Sequence, residues 1–260
     1  MASVFYSQGI NSPQYYQYKG DLTVEEVAEF YRFLAPHVTL MIVGTQDGLN
    51  RLHEMCPNLA CPTLFVPQPV LIKPNSNLDD KLPKDRVRLL FVGRDYIRKG
   101  LPEVLAAYRE VARHAELHVV TAPDCPLMTE TTDLPYVTWY ADLSDESLQR
   151  LYRRSHILVV PTHADTYNLV MVEAMANGCA VVTSDLSPMD EIAPPGVVGE
   201  TVPRGDVDAL ADTLKVLVQD RVRLERYMRA ALHRYQTEYA PDRVLPRLAN
   251  AFEYAVSLAR

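Results

Sequence analysis

Short runs rich in apolar and β-branched residues alternate with amphipathic stretches between residue 87 and about residue 220. The short runs have the length and composition of buried strands, and they lie at residues 87–92, 117–121, 136–139, 157–160 and 180–183. The stretches between them repeat apolar side chains at helical spacing, at residues 101–113, 148–154, 169–176 and 209–218. Because strands that alternate with helices pair in parallel, the pattern predicts an α/β fold with a parallel sheet and helices on both of its faces.

Residues 1–66 show the same alternation on a smaller scale. Strands are predicted at residues 3–6, 38–43 and 63–66, and helices from residue 24 and at residues 47–55. Thr23 and Glu26 have the spacing of a capping box at the start of the first helix. Residues 67–85 are rich in proline and polar residues, as connections between domains are. These features predict four parts: an N-terminal α/β portion (1–66), a linker (67–85), a main α/β domain (86–220) and C-terminal helices (221–260).

Composition and charge narrow the class of protein. The 260 residues are 48% hydrophobic, enough for a full core, and the net charge of −7 argues against nucleic acid as a partner. Two arginine clusters are predicted to be solvated helix faces, with contact to an anionic membrane as the alternative; they contain Arg150, Arg153, Arg154, Arg221, Arg223, Arg226 and Arg229. The four cysteines show no zinc-ligand spacing, and the sequence shows neither a signal peptide nor an apolar run that could span a membrane. We therefore expect a cytoplasmic protein, with membrane association on the cytoplasmic face as the alternative.

The most informative segment is residues 161–184, in which a polar loop joins a buried strand to a helix. Asp165 in the loop and Glu173 in the helix are eight residues apart, so both carboxylates can face one concave site. Between them, Asn168 to Val170 are expected to present backbone N–H groups. Open α/β sheets bind ligands at this edge, where the strands end. The segment thus predicts a ligand site.

A second strand, loop and helix precede it. The loop at residues 93–100 carries Arg94 and Lys99, and their spacing lets both cations converge on one diphosphate. A solvated basic loop is the alternative. No glycine-rich dinucleotide fingerprint or Walker loop follows any predicted strand, which argues against a dinucleotide-dependent oxidoreductase and a P-loop phosphotransferase.

Both loops resemble those of the large family-4 group of retaining glycosyltransferases with the GT-B architecture. The resemblance rests on the phenylalanine, valine, glycine and arginine at residues 91–94, on the lysine and glycine at residues 99–100, and on the pattern at residues 161–178. Asp165 stands where the family has glutamate, and Asn168 where it has glycine. The resemblance is strong over residues 87–220 and weak over the first 66. It implies the Rossmann-like donor-binding domain of a GT-B enzyme, together with a shortened N-terminal portion.

The resemblance also implies roles for individual residues. Arg94, Lys99 and Asp165 would be catalytic, stabilising the departing diphosphate and orienting a hexose, and Glu173 would hold the ribose. The expected donor-binding residues are Gly93, Arg94, Lys99, His163, Asp165, Asn168, Leu169, Val170 and Glu173. For His163 an exposed loop position is the alternative. The donor would be a nucleotide-diphosphate sugar, with no cofactor and no metal, since Asp206 and Asp208 are predicted to open a helix rather than hold a cation.

Three functions remain consistent with the sequence. The first is retaining transfer of a hexose to an acceptor hydroxyl of a glycan, a lipid or a small molecule. The second is a nucleotide-sugar-binding subunit without turnover, completed by a partner chain or a second copy that supplies the acceptor side. The third is a sugar-nucleotide epimerase of the same architecture. The identities of the base, the sugar and the acceptor are left open by the motifs.

Overall fold

The computed structural model of the chain describes residues 1–7, 22–75, 77–83 and 85–260. It divides into two compact units. The first consists of Met1–Leu71, Ala164–Asn168 and Thr237–Arg260, and the second of Ile72–His163 and Leu169–Gln236. Most of the segment predicted as a linker is thus part of the second unit. In the described part of the chain, no helix has both the length and the apolar character needed to cross a bilayer.

The first unit is built on a parallel sheet of three strands. Strands β1 (Val4–Ser7), β2 (Leu40–Val43) and β3 (Thr63–Phe65) lie in the order β1-β2-β3. Its other N-terminal elements are helix α1 (Val24–Leu34), a 3₁₀ turn (Ala35–His37) and helix α2 (Gln46–Met55). The predicted capping box opens α1: the Glu26 N–H donates to Thr23 Oγ1, and the Thr23 N–H donates to the Glu26 carboxylate.

The last helix of the chain, α10 (Pro241–Leu258), belongs to this first unit. Its Val244 and Ala251 are buried in one cluster with Leu40 and Ile42 of β2. A separate buried cluster joins β2 to α1 and α2. Both faces of the small sheet are therefore covered, which parallel sheets require.

The second unit contains a six-stranded parallel sheet, so the predicted α/β fold class is confirmed. The strands are β4 (Val87–Val92), β5 (Ala115–Thr121), β6 (Val137–Ala141), β7 (Ile157–Val160), β8 (Ala180–Ser184) and β9 (Gly199–Val202). The helices are α3 (Leu101–Tyr108), α4 (Leu127–Glu130), α5 (Asp145–Arg154), α6 (Leu169–Ala176), α7 (Met189–Ile192), α8 (Val207–Gln219) and α9 (Arg221–Arg234). A 3₁₀ turn (Asp79–Lys81) precedes the sheet, and a π-helical turn (Tyr235–Tyr239) follows α9.

The predicted bounds match the observed ones for three of these elements, β4, β7 and α6. The helix predicted at residues 101–113 ends earlier, at Tyr108, because the chain then turns more tightly, for example where the Val111 N–H donates to the Tyr108 carbonyl. Strand β9 and the short helix α4 were not predicted, since four residues are too few to show a periodicity.

Two buried polar side chains hold the start of the second unit. Lys81 Nζ donates to the carbonyls of Tyr152, at 3.1 Å, and Asn177, at 2.6 Å. His156 Nδ1 accepts the Arg88 N–H at 2.9 Å, so its Nε2 carries the proton and donates to the Lys81 carbonyl at 2.7 Å. Burial, followed by the charges of Arg88 and Lys81, lowers the pKa of His156 to about 3, which keeps the ring neutral.

The strand order of the large sheet is β6-β5-β4-β7-β8-β9. From β4 the chain proceeds outward through β5 and β6, and from β7 it proceeds the opposite way through β8 and β9. Strands β4 and β7 are hydrogen-bonded neighbours, with Leu89 opposite Ile157 and Leu90 opposite Leu158. The order therefore reverses between them, and open α/β sheets bind ligands outside the carboxyl ends of strands at such a point.

Candidate functional site

The basic loop, defined here as residues 93–100, follows β4 at the point where the strand order reverses. The Gly93 N–H donates to the Val120 carbonyl at 2.9 Å, which continues the β4–β5 ladder into the loop. A Cβ at Gly93 would lie 2.8 Å from Lys99 Cγ, so the glycine leaves room for the lysine stem to pass close to the backbone. Gly93 and Lys99 are thus adjacent, as the predicted site requires.

Arg94 extends from the basic loop with 76% of its side chain exposed. Its guanidinium donates to the Asp142 carboxylate at 3.3 Å. Asp142 follows β6 and adopts the left-handed conformation, with φ of +48°. Aspartate is one of the few non-glycine residues that tolerate a positive φ. The preceding residue, Ala141, is the last residue of the strand.

The β7–α6 loop, residues 161–168, leaves the adjacent strand at the same edge. Its first residues are bonded to the basic loop, since the His163 N–H and Thr162 Oγ1 both donate to the Arg98 carbonyl, at 2.7 and 3.1 Å. Gly100 has φ of +81°, and a Cβ there would lie 2.3 Å from the Pro161 carbonyl oxygen. The structure thus brings the two predicted loops into direct contact.

His163 is mostly buried rather than exposed on the loop. Its Nε2 lies 2.8 Å from Glu103 Oε1 in the first turn of α3, and the two side chains are 20% and 17% exposed. The alternative of an exposed loop imidazole is therefore wrong. Glu103 gives the imidazole a fixed partner beside the basic loop.

Helix α6 begins at Leu169, immediately after the β7–α6 loop. Leu169 and Val170 lie in its first turn, where backbone N–H groups have no partner within the helix. In the second part of the loop, Asp165 contacts a neighbouring loop residue and Tyr167 contacts another residue of the first unit. Asp165 accepts the Thr166 N–H at 3.0 Å, and the Tyr167 hydroxyl donates to the Gln68 carbonyl at 3.4 Å.

Asn168 is buried next to the start of α6. Among the described residues, the non-glycine positions with positive φ are Tyr136 and Asp142. Asn168 thus fills the family's glycine position without a left-handed backbone, which explains how the substitution is accommodated.

Glu173 lies one turn inside α6 and is largely buried. Its carboxylate accepts a hydrogen bond of 2.8 Å from the hydroxyl of Tyr152, a fully buried residue of α5. Burial raises the pKa of Glu173; the Tyr152 bond opposes this rise, and the charge of Asp145 adds to it. A carboxylate with one fixed donor retains lone pairs for other hydroxyl groups.

The predicted helix opening at Asp206 is confirmed. The Asp206 carboxylate caps α8 by accepting the Ala209 N–H at 2.9 Å, and Asp208 lies in the first helical turn. Within the described ranges, no three His, Cys, Asp or Glu side chains form a group that could hold a metal ion.

The profile of the family described as Glycosyl transferases group 1 matches residues 86–220, more than half of the chain. The chain belongs to this family. The matched region begins just before β4 and ends between α8 and α9, so it includes the basic loop, the β7–α6 loop and Glu173.

Curated relatives extend the likeness beyond that region. A phosphatidyl-myo-inositol mannosyltransferase from Mycolicibacterium smegmatis is 28% identical over 243 residues, which cover 90% of this chain and 57% of the relative. A protein of the same name from Mycobacterium leprae is 30% identical over 60% of this chain and 45% of its own length. A D-inositol 3-phosphate glycosyltransferase from Xylanimonas cellulosilytica is 29% identical, over 78% of this chain and 52% of the relative. The chain spans about half the length of these relatives.

Solved structures share the fold. Sucrose-phosphate synthase from Thermosynechococcus elongatus superposes with a TM-score of 0.80 at 20% identity, covering 98% of this chain and 68% of that protein. Anabaena HepE in complex with UDP and glucose superposes with a TM-score of 0.77 at 14% identity, covering 97% and 71%. At these identities the likeness is one of fold, and it confirms the GT-B type of parallel α/β architecture.

Three residues that contact the predicted site residues were not predicted from the sequence. Asp142 pairs with Arg94, Tyr152 bonds Glu173, and Glu103 bonds a loop histidine. Asp142 had a weak signal, because an aspartate directly after a strand is a common turn residue. Tyr152 and Glu103 sit at helix positions that resemble an ordinary core tyrosine and an ordinary acidic first-turn residue.

Proposed function

We propose that the protein binds a nucleoside-diphosphate sugar at the edge formed by the basic loop and the β7–α6 loop, and transfers its hexose to an acceptor hydroxyl with retention of anomeric configuration. One observation carries the proposal. The two loops that the family motif predicts leave adjacent parallel strands where the strand order reverses, and the Arg98 carbonyl accepts hydrogen bonds from residues of the second loop. This is the kind of edge at which α/β sheets bind phosphorylated ligands.

Arg94 and Lys99 would stabilise the negative charge that develops on the departing diphosphate. The guanidinium can form two parallel bonds to phosphate oxygens, and the ammonium acts as a compact charge beside it. Arg94 must exchange its exposed Asp142 partner for phosphate, which costs little because exposed ion pairs contribute at most about 1 kcal/mol. Electrostatic stabilisation of developing charge usually contributes more to the rate of such a reaction than any other single effect.

Glu173 would accept hydrogen bonds from the ribose hydroxyls, and Asp165 would orient the hexose. Asp165 lies two residues beyond His163, so chain connectivity keeps their Cα atoms within about 7 Å. The acceptor hydroxyl would attack on the face of the leaving group, with a phosphate oxygen of the donor taking its proton. No metal or cofactor is needed in this scheme, because the two cations of the basic loop supply the positive charge.

The acceptor is proposed to be a polyol hydroxyl of the inositol type. The names of the two mycobacterial relatives indicate phosphatidyl-myo-inositol as the acceptor, and the name of the Xylanimonas relative indicates inositol 3-phosphate. Both acceptors contain an inositol ring. A lipid-linked inositol would require the protein to work at a membrane surface on the cytoplasmic side, and a free inositol phosphate would not.

A thermal-shift screen with UDP-, GDP- and ADP-sugars tests donor binding, since a ligand that binds the native state raises the melting temperature by mass action. In Lys99→Met the aliphatic stem beside Gly93 is kept and only the charge is lost. We expect the best shift to disappear in this variant. Lys73→Ala, an exposed lysine outside both loops, is the matched control and should keep the shift. A full shift in Lys99→Met would contradict the assignment of the basic loop.

Turnover is tested separately with the donor that gives the best shift. Release or transfer of the sugar by the isolated chain supports a transferase, and an NMR spectrum of the product shows whether the anomeric configuration is retained. Binding without turnover, even with inositol and inositol phosphate present, would instead identify a nucleotide-sugar-binding subunit. A product with altered sugar stereochemistry and no acceptor would identify an epimerase.

A further inference from the structure

A groove of about 480 Å³ runs along α5 on the second unit, beside Tyr140 of the edge strand β6. Three apolar or aromatic side chains and three arginines line it: Tyr140, Leu143, Leu151, Arg150, Arg153 and Arg154. Its volume is within the range of small-molecule sites. Nothing in the donor site described above uses these side chains.

The groove and the donor residues use different faces of α5. Ser147, Leu151 and Arg154 are spaced by four and three residues, so they share one helix face. Tyr152, which bonds Glu173, is about 140° around the helix from Ser147, at 100° per residue. A ligand in the groove would therefore not occupy the position of the donor ribose.

Two of the three groove arginines lack an acidic partner among the described residues. Arg150 pairs with Glu146 at 2.7 Å, but Arg153 and Arg154 have no side-chain ion pair within the part of the chain that the structure describes. On α9, Arg229 pairs with both Asp79 and Glu225, and Arg223 lies 3.7 Å from Asp220. The two clusters looked alike in sequence, but only the arginines on α5 line this groove.

The unpaired charge also acts on the strands beneath. Burial lowers the pKa of His118 on β5, and the charges of Arg154 and Arg88 lower it further against the opposing effect of Glu116. Burial likewise lowers the pKa of Arg88, and Arg154 adds to this effect. Accumulated positive charge in a concave site of a protein with a net charge of −7 favours an anionic ligand.

We propose that this groove is a second anion-binding site, which takes a phosphate monoester attached to a flat apolar body. Guanidinium groups match the geometry of a phosphate with paired N–H donors. The ring of Tyr140 and the side chains of Leu143 and Leu151 provide the apolar contact surface. A free aromatic or sugar phosphate and the headgroup of a monoester lipid share this chemistry.

Calorimetric titration of the full chain with phenyl phosphate tests the site, and Lys99→Met removes the competing phosphate contact at the basic loop. We expect Lys99→Met to retain one phenyl phosphate site. Adding Arg153→Gln and Arg154→Gln to that variant should weaken the site at least about tenfold, as two charge-assisted bonds are lost. Arg223→Gln with Arg226→Gln, the same charge change on α9, is the matched control and should leave the binding unchanged.

Two results would overturn the proposal: loss of all phenyl phosphate binding in Lys99→Met alone, or binding that is insensitive to the Arg153 and Arg154 changes. Circular dichroism establishes that the variants are folded. The variant that carries Arg153→Gln and Arg154→Gln but keeps Lys99 should show an unchanged nucleotide-sugar thermal shift, which separates this site from the donor site. Co-sedimentation with phosphatidic acid and phosphatidylcholine vesicles identifies the source. Binding to phosphatidic acid that depends on both arginines supports a lipid headgroup, and phenyl phosphate binding without vesicle binding supports a soluble ester.

Discussion

Replacing Gly100 with alanine should damage both the stability of the second unit and its donor site. Gly100 has φ of +81°, and an added Cβ would meet the Pro161 carbonyl oxygen at 2.3 Å. The obstacle is backbone at the end of β7, so no side-chain rotation can relieve it. The only relief is separation of the basic loop from the β7–α6 loop, which their hydrogen bonds to the Arg98 carbonyl oppose.

Gly196 offers a matched control within the same unit. Its φ of +73° is similar, but a Cβ there would meet nothing within 4 Å. Alanine in a left-handed conformation costs roughly 1–2 kcal/mol, and this is the whole cost expected for Gly196→Ala. Gly100→Ala adds an overpacking cost of roughly 1–3 kcal/mol, giving a total of about 2–5 kcal/mol. The difference between the variants isolates the contact between the loops.

Urea unfolding of the two variants and the wild type measures these free energies. Trp139, the single tryptophan of the chain, lies on β6 and reports on the second unit by its fluorescence. Gly100→Ala should also lose the nucleotide-sugar thermal shift, because the loop that carries Lys99 must move, whereas Gly196→Ala should keep it. Equal destabilisation of the two variants, with donor binding intact in both, would refute the inference that the two loops constrain each other.

Three further predictions concern titratable side chains. Tyr152→Phe removes the hydrogen bond that opposes the raised pKa of Glu173, so Glu173 should become protonated at a higher pH than in the wild type. As the pH is lowered, calorimetry should therefore show donor binding being lost earlier in the variant. Superimposed pH profiles would contradict this role. Because the pKa of His156 is lowered to about 3, the unfolded state binds a proton that the folded state does not. The free energy of unfolding should therefore fall as pH drops from about 6.5 toward 3, by up to about 1.4 kcal/mol per pH unit. Urea unfolding at several pH values should show a flatter slope for His156→Gln, and a slope identical to wild type would show that other groups cause it. Glu103→Gln should weaken donor binding roughly two- to fivefold by removing the carboxylate partner of His163, and an unchanged dissociation constant would remove this pair from the site.

Local sequence patterns predicted much of the site because its parts are contiguous. Two apolar runs, one before the basic loop and one before residue 161, have the composition of buried strands. Each is followed, after its loop, by a segment predicted to be a helix. Such elements are determined by residues a few positions apart, so the bounds of β4, β7 and α6 could be predicted, whereas the end of α3 could not. The positions of Arg94, Lys99 and Glu173 followed as well, since they lie in short segments whose ends are set by those elements, and their chemistry stays a prediction.

Other features depend on residues that are distant in sequence. The Arg94–Asp142 pair joins positions 48 apart, and Lys81 donates to a carbonyl 96 residues away. These contacts depend on the order of strands in the sheet, which cannot be predicted from the local spacing of apolar residues. The placement of helix α10 against the small sheet of the first unit is of the same kind.

The sequence by itself thus determined the α/β class and the main elements, and it predicted which residues hold a diphosphate. Tertiary structure decided which neighbours those residues meet. It placed the α5 arginines along a groove and gave Arg229 on α9 two acidic partners. The physical reason is that helix and strand formation depends on interactions along the chain, whereas charge pairing and burial depend on which segments the packed core brings together.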